Sequence, residues 1–303
     1  MTNAFFIVGP TAVGKSELAA DVAVKTNAEI VSADAFQVYR EFSILTARPD
    51  AQTLAKAPHH LTGEIGVDEE MNVERFRALA TERMESISAR GRRVLVVGGS
   101  GLYVKALTHG LSSLPQGDPE LRRQLGEMTL DELVSRLTAS DPAAASRIDL
   151  KNPRRVIRAL EIAHATGRPS SVQRNTWAAR DAESLNSASG VLVERDREEL
   201  KSRINRRVEQ MFEEGVIEEA QRVRGKAGAT AAKTLGFASI GELLDGKITR
   251  EECMRAIQAA TRQYAKRQLT WFRHQSNFEP LNLSLLDHAD AVDRVAERVL
   301  SLS

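Results

Sequence analysis

The sequence contains a single cysteine, few aromatic residues and almost no net charge. Because Cys253 is the only cysteine, an internal disulfide framework is excluded and a reducing compartment, the cytoplasm, is expected. The formal net charge is +1, so affinity for a nucleic acid would have to come from local basic patches. No apolar run approaches the length of a membrane span, and the N-terminal run is too short for a signal peptide.

What the chain does contain is an ordinary globular composition, with 42% hydrophobic and 27% charged residues. Its first third alternates short apolar runs with helical patterns. Runs at Phe5–Val8, Ile30–Val31 and Val94–Val97 are rich in β-branched residues and bounded by Gly, Asp or Ser, which is typical of buried parallel strands. Helical patterns at Glu17–Lys25 and Val73–Arg90 lie between them. This alternation predicts an α/β fold with ligands at the carboxyl ends of the strands.

The middle of the chain reads as helices without strands. Thr129-Leu-Asp-Glu132 is a capping box that opens an amphipathic segment, and Asn152-Pro153 is a second helix start. We therefore predict a helical insertion into the α/β core. The predicted domains are residues 1–110 with 190–303 for the core, and residues 111–189 for the insertion.

The chain returns to the core at a predicted strand, Gly190–Glu194. Apolar residues at helical spacing then predict one long helix over Glu198–Arg224. A capping box at Thr249-Arg-Glu-Glu252 predicts a further helix that ends near Gln275. These C-terminal helices complete the predicted core.

The segment GPTAVGKS follows a predicted strand, precedes a predicted helix and matches G-x-x-x-x-G-K-[ST]. Its glycines let successive backbone N–H groups converge on phosphate oxygens, and the helix N-terminus adds the positive end of its dipole. We expect Lys15 to hold the outer phosphate oxygens and the Ser16 hydroxyl to bind Mg²⁺. The core is therefore predicted to be P-loop NTPase-like. The predicted phosphate-binding residues of this loop are Gly9, Pro10, Thr11, Ala12, Val13, Gly14, Lys15 and Ser16.

A phosphate loop identifies a polyphosphate ligand and not a reaction. ATPases and GTPases of this class usually add an acid at the end of another strand. The strand Val94–Val97 is followed instead by Gly98-Gly-Ser-Gly101, and Asp34 is the only acid that the pattern places at a strand end near the loop. Three roles are open for Asp34: a Mg²⁺ ligand, a cap of the following turn, or a general base. Gln37, three residues on, carries an amide suited to reading the edge of a base.

Five segments together resemble one family. They are GPTAVGKS, SADAFQVYREFSILTARPD, HHL at 59–61, VGGSGLYVKAL and TRQYAKRQLTWF. Their combination resembles the tRNA dimethylallyltransferases, also called tRNA isopentenyltransferases, and extends from residue 5 to about residue 275. The resemblance implies that the loop holds the diphosphate of dimethylallyl diphosphate, which leaves intact. The acceptor implied is the N6 amine of the adenosine 3′ of the anticodon, in the anticodon stem-loop of tRNA.

The resemblance also assigns roles to individual residues. It implies that Asp34 is the general base, that Ser100 stands where the family usually has threonine, and that Arg203 and Arg207 face the diphosphate. The catalytic set is Asp34, Ser100 and Lys15. The tRNA-binding set is Asp34, Ala35, Phe36, Gln37, Ser100, Arg122, Arg154, Arg155, Val156, Ile157, Arg158, Lys233, Gly236, Arg262, Lys266 and Arg267. For Arg203 and Arg207, a solvated helix face paired with Glu199 or Glu209 remains an open alternative.

The basic clusters give these assignments an independent argument. Segment 151–174 carries six cations and one acid, and its three arginines near the start of the Pro153 helix oppose the helix dipole. An external polyanion would compensate this charge, although a solvated face is the usual alternative. Segment 261–273 is a second basic cluster, in which we expect Tyr264 and Trp271 to pack in the core before they stack on a base.

Three other functions compete with tRNA prenylation. An adenylate prenyltransferase would need the same loop and base, but it would not need the basic insertion. A small-molecule kinase is disfavoured by the missing acid after Val97, and a non-catalytic RNA-binding module by the intact phosphate loop with Asp34. We therefore expect a cytoplasmic enzyme with no membrane association, acting as a monomer with Mg²⁺ as its cofactor.

Overall fold

The computed structural model describes residues 4–111, 117–172 and 188–302. Within these residues the contacts form two compact units. The sheet unit extends up to Thr108 and continues from residue 188, and the helical unit extends from His109 to residue 172. The predicted insertion, 111–189, overlaps the helical unit, and its segment 173–187, with Arg174 of the basic cluster, lies outside the described residues.

The sheet unit is built on six parallel strands in the order β3-β2-β4-β1-β5-β6. The strands are β1 (Ala4–Val8), β2 (Ala28–Ser32), β3 (His59–His60), β4 (Arg93–Gly98), β5 (Ser189–Glu194) and β6 (Glu279–Asn282). The strand that carries the phosphate loop, β1, lies between β4 and β5, so both of its edges are hydrogen-bonded. An apolar core covers each of its faces. The predicted α/β fold with a parallel sheet is confirmed.

Thirteen helices are labelled here in chain order within the described residues. They are α1 (Lys15–Thr26), α2 (Ala51–Lys56), α3 (Val73–Ala89), α4 (Gly101–Thr108), α5 (Pro119–Gly126), α6 (Leu130–Ser140), α7 (Pro142–Ala145), α8 (Pro153–Thr166), α9 (Arg197–Glu213), α10 (Val216–Val223), α11 (Phe237–Leu244), α12 (Arg250–Gln275) and α13 (His288–Leu300). No helix within the described ranges is long and apolar enough to cross a bilayer.

The alternation of side chains along β1 creates a separate core on each face of the sheet. Phe5 and Ile7 pack in the core that α1 and α13 cover, whereas Phe6 and Val8 pack in the core with α3 and α12. All four side chains are at most 5% exposed. The loop at the end of β1 is therefore anchored by a strand that is tightly packed on both faces.

Two sequence predictions need correction in the sheet unit. The predicted helix Glu198–Arg224 is two helices, because Gly215 adopts the left-handed conformation (φ 96°) between α9 and α10. Strands β3 and β6 were not predicted. They are edge strands of two and four residues, one of which contains Pro280, so neither has the apolar run that marks a buried strand.

The helical unit has a small core of its own. Leu133 and Leu137 of α6 pack with Val156 and Ala159 of α8, and all four are at most 1% exposed. The predicted capping box at Thr129 is present, and Gly167 ends α8 in the left-handed conformation. The unit therefore has the apolar contacts of a small helical domain.

Candidate active site

The phosphate loop joins β1 to α1 at the carboxyl edge of the sheet. Gly9 has φ 149°, and a Cβ at this position would lie 2.3 Å from the Val193 carbonyl oxygen, so only glycine fits. Gly14 has φ 104° and starts α1. Within the loop, Lys15 Nζ donates to the Pro10 carbonyl at 2.7 Å, which holds the ammonium group over the turn. The sequence pattern therefore folds into the predicted anion cradle.

The loop is electrostatically poised for an anion. Burial lowers the pKa of Lys15 to about 7; Asp34 acts in the opposite direction, and Arg207 adds to the lowering. Burial and the neighbouring Arg203 lower the pKa of Arg207 to about 10, so this side chain remains a cation at neutral pH. Burial of Lys15 and Arg207 close to each other costs solvation free energy. A polyanion bound between them would offset that cost.

Three arginines donate hydrogen bonds to the loop. Arg195 Nε donates to the Val13 carbonyl at 2.8 Å, and Arg203 Nε donates to the Ala12 carbonyl at 2.9 Å. Arg207 Nη1 donates to the Thr11 hydroxyl at 3.3 Å. Successive loop positions are therefore each held by one guanidinium group.

These contacts bear on the alternative left open for Arg203 and Arg207, a solvated helix face paired with Glu199 or Glu209. Glu199 pairs with Arg195 at 2.5 Å, and no described ion pair joins Glu199 or Glu209 to Arg203 or Arg207. The two predicted diphosphate ligands thus face the loop. Sequence reasoning missed Arg195. This residue follows β5 directly, and its position at the carboxyl end of a parallel strand could have identified it as a site residue.

Asp34 and Ser100 lie on adjacent connections at the same sheet edge. Asp34 follows β2, and its Oδ1 accepts from the backbone N–H groups of Phe36 at 2.9 Å and Gln37 at 3.3 Å. Ser100 follows β4, and its hydroxyl accepts from the Ala35 N–H at 3.0 Å. The capping role of Asp34 is therefore present. One oxygen makes both contacts, and no donor among the described residues bonds to Oδ2.

Gln37 is oriented by the segment that follows it. Its side-chain nitrogen donates to the carbonyls of Thr46 at 3.3 Å and Ala47 at 3.0 Å. Carbonyl oxygens only accept hydrogen bonds, so the amide nitrogen must face them and the amide oxygen must face away. Among the described residues, no N–H or O–H donates to that oxygen.

Helix α12 contributes two polar side chains to the site. Gln268, which is 5% exposed, accepts from the Thr11 N–H and donates to the Gly99 carbonyl, both at 2.9 Å. Tyr264 contacts Ser100 and Gln268 through its hydroxyl, and burial raises its pKa above the usual value for tyrosine. No role was predicted for Gln268 from the sequence. The available signal was a polar residue at i+4 from Tyr264, within an otherwise apolar helix face.

A single cavity of about 480 Å³ brings most of these groups together. Its lining includes the loop from Thr11 to Ser16, Asp34, Gln37, Arg203, Arg207 and Gln268, together with the 43–50 segment. The phosphate loop and the Asp34 carboxylate therefore line the same cavity. Among the described residues, no group of three His, Cys, Asp or Glu side chains forms a metal site.

Comparison with known proteins decides the family. The family model described as IPP transferase matches residues 37–275. This chain belongs to the IPP transferase family. The tRNA dimethylallyltransferase of Akkermansia muciniphila is 41% identical over 295 residues, which covers 97% of each chain. That of Anaeromyxobacter dehalogenans is 43% identical over 275 residues, with 89% of this chain and 91% of the relative covered.

Solved structures give the same assignment. The full-length tRNA isopentenylpyrophosphate transferase of Bacillus halodurans is 34% identical, with a TM-score of 0.70 over 99% of this chain and 97% of that chain. A eukaryotic dimethylallyltransferase, described as acting on tRNA, is 26% identical, with a TM-score of 0.78 over 99% of this chain and 78% of its own. The family resemblance read from the sequence is thereby confirmed.

In the helical unit, the predicted tRNA-binding residues divide by exposure. Arg154 and Arg155 are exposed in the first turn of α8, which carries no acid. Val156 is fully buried in the core of this unit, and Ile157 is half-buried against it. The Val156 side chain packs inside the unit because the helical period turns it to the inner face of α8, and a contact of Val156 with tRNA stays a prediction.

Arg122 and Arg158 share one buried acid. Arg122 binds Glu161 through Nε at 2.6 Å and Nη2 at 2.9 Å, and Arg158 binds the same carboxylate at 3.3 Å. The Glu161 side chain is 1% exposed, while those of Arg122 and Arg158 are 58% and 34% exposed. The acid thus orients two guanidinium groups whose side chains remain partly exposed.

The remaining predicted tRNA-binding residues lie on the sheet unit. Arg262 donates to the Asn205 side chain at 2.7 Å, Lys266 is exposed, and Arg267 lies 5.8 Å from the centre of the Tyr264 ring. The other two, Lys233 and Gly236, precede α11. Lys233 is exposed, and Gly236 has φ 92° and starts the helix against Leu45 and Ile257. Their contacts with tRNA stay predictions.

Proposed function

We propose that this chain transfers a dimethylallyl group from dimethylallyl diphosphate to the N6 amine of the adenosine 3′ of the anticodon in tRNA, releasing diphosphate. The observation that carries the proposal is the shared cavity of the phosphate loop and Asp34. Membership of the IPP transferase family supports the reaction class, since its relatives are named for that activity. The proposal includes tRNA as partner, a cytoplasmic place of action and a monomeric enzyme.

The first chemical task is to stabilise the leaving group. As the allylic C–O bond breaks, positive charge spreads over the double bond and negative charge grows on the diphosphate oxygens. The loop from Thr11 to Ser16, with Lys15, and the Arg207 side chain line the cavity in which that charge would develop. Because these groups are already held in place, their stabilisation costs little reorganisation in the transition state.

The second task is to activate a poor nucleophile. The lone pair of the adenine amine is conjugated with the ring, so attack requires a base that accepts the proton while the C–N bond forms. Asp34 Oδ2 has no described donor, while Oδ1 is held by Phe36 and Gln37. The carboxylate is thus fixed through one oxygen and accepts the amine proton on the other. The Gln37 amide oxygen accepts the second N–H of the same amine.

A magnesium ion fits the residues at the loop. Mg²⁺ commonly keeps several waters and takes one or two protein oxygens together with substrate phosphates, so a site without an acidic cage suits it. The Ser16 hydroxyl lines the cavity next to Lys15 and would hold the ion. When bound, the ion supplies charge neutralisation on the diphosphate.

The helical unit supports recognition of RNA. Arg154 and Arg155 place positive charge at the N-terminus of α8, where the helix dipole disfavours it. A phosphate backbone offsets that cost. The target adenosine must leave the base stack for its amine to reach the half-buried Asp34 in the cavity, which is the usual route for enzymes that modify a base.

One assay tests the proposed function. Labelled dimethylallyl diphosphate is incubated with tRNA, with AMP or with neither, and ATP hydrolysis is followed in parallel. We expect label only in tRNA, at the adenosine 3′ of the anticodon, with release of diphosphate. Labelled AMP in the absence of labelled tRNA would identify an adenylate prenyltransferase, and ATP turnover without prenyl transfer would identify a nucleotide-dependent enzyme.

A further inference from the structure

The acid Glu219 is buried on α10 without a cationic partner among the described residues. Its side chain faces the loop 43–45, and the residue is 1% exposed. Four donors from that loop surround the carboxylate: the N–H and hydroxyl of Ser43, both at 2.8 Å, the Ile44 N–H at 2.9 Å and the Leu45 N–H at 2.8 Å. A buried charge that is satisfied by consecutive backbone amides strongly constrains the backbone that it binds.

The constrained loop leads directly to the residues that orient Gln37. Thr46 and Ala47 follow Leu45, and their carbonyls accept from the Gln37 side-chain nitrogen. Ala47 has φ 48°, a left-handed conformation that a residue other than glycine keeps only when its surroundings hold it. Ser43, Gln37, Thr46 and Ala47 all line the candidate active site, whereas Glu219 does not.

We propose that Glu219 is a positioning residue for base selection: by fixing the loop 43–47, it makes the Gln37 amide present its oxygen, and not its nitrogen, to the acceptor base. This inference rests on the proposed function. An adenine amine donates to that oxygen, whereas a 6-oxo purine offers only an acceptor at the same place. The buried acid therefore contributes to selecting an amino group for prenylation, and it does so without touching the substrate.

The variant Glu219→Gln tests this role with little change in shape. It replaces one carboxylate oxygen by an NH₂ group, which faces N–H donors and cannot accept from them. We expect kcat/KM for tRNA to fall about 10- to 100-fold, the range for lost hydrogen bonds to a charged group, while KM for dimethylallyl diphosphate stays unchanged. The matched control is Glu218→Gln, an exposed neighbour on the same helix, which should behave as wild type.

A double-mutant cycle distinguishes positioning from general support of the fold. If Glu219 acts through Gln37, Glu219→Gln should lower kcat/KM for tRNA little further in a Gln37→Ala background. Full additivity of the two substitutions would overturn the proposal. If Glu219→Gln does not fold, Ser43→Ala removes one of the four donors, and kcat/KM for tRNA should fall about threefold. An unchanged value in that variant would overturn the proposal as well.

The wild-type protein separates this inference from the proposed function. If wild type transfers no prenyl group to tRNA, the proposed function fails. If wild type is active and Glu219→Gln matches Glu218→Gln in both substrate constants, only the role of Glu219 fails. As a further readout, Glu219→Gln should reduce the ratio of the Kd of tRNA carrying inosine at the target position to the Kd of tRNA carrying adenosine there.

Discussion

The backbone N–H of Thr11 donates to the side-chain oxygen of Gln268 at 2.9 Å, although 257 residues separate the two. The amide nitrogen of Gln268 donates to the Gly99 carbonyl, so one side chain bridges the phosphate loop and the end of β4. Both contacts are to backbone groups. The bridge therefore positions the main chain of the phosphate loop. Its two hydrogen bonds are stronger than they would be in water, because Gln268 is almost fully buried.

Replacing Gln268 by leucine should loosen the cradle. The change keeps the approximate volume but leaves the Thr11 N–H and the Gly99 carbonyl without their partner. We expect a loss of about 1–3 kcal/mol in the free energy of unfolding, measured by urea titration, and a higher KM for dimethylallyl diphosphate. The matched control, Gln263→Leu, changes an exposed glutamine of the same helix and should alter neither quantity. Equal effects of both variants would show that the bridge does not support the loop.

Replacing Asp34 by asparagine should separate capping from catalysis. Asparagine keeps a carbonyl oxygen that can accept from the Phe36 and Gln37 N–H groups, but it cannot act as a base. We expect kcat to fall by about 10²- to 10⁴-fold, with KM for the donor nearly unchanged, measured by steady-state kinetics with tRNA in excess. Asp34→Ala should lose the cap too and lower thermal stability. Near wild-type turnover of Asp34→Asn with tRNA bound normally would exclude the general-base role.

Binding of the diphosphate group should take up a proton above neutral pH. The pKa of Lys15 in the ligand-free protein is lowered to about 7, so this amine is mostly neutral at higher pH. A bound polyanion favours the ammonium form, and the affinity for diphosphate should therefore fall as the pH rises from about 7 to about 9. Calorimetry in two buffers with different ionisation enthalpies measures the uptake. In Lys15→Met the uptake should disappear; identical heats in both buffers for wild type would contradict the prediction.

The exposed arginines of α8 should contribute to tRNA affinity through phosphate contacts. For Arg155→Ala we expect weaker binding and a decrease of about one in the slope of log Kd against log salt concentration. Arg136→Ala is the control, because it removes an exposed arginine from α6 in the same unit. Filter binding over a salt series measures both variants. If their slopes were equal, the first turn of α8 would not contact the RNA backbone.

The fold was largely predictable because local patterns specify it. The apolar runs of β1, β2, β4 and β5 and the helical periods between them led to the parallel sheet. The errors occurred where local signals were weak. Edge strands β3 and β6 lack apolar runs, and the apolar spacing of Glu198–Arg224 continues across Gly215, which breaks the helix. The side chain of Val156, which was predicted to bind tRNA with its exposed neighbours, is buried because the helical period turns it inward.

By itself the sequence determined the phosphate loop, the acid that follows β2 and the family, because each depends on residues that are close together along the chain. The tertiary structure alone decided which distant side chains hold that site in shape. Gln268, Arg195 and Glu219 reach backbone groups of loops that lie 169 to 257 residues away in sequence. The spacing of residues along a helix shows that a polar side chain lies on the buried face, but only the packing of helices and sheet determines its partner.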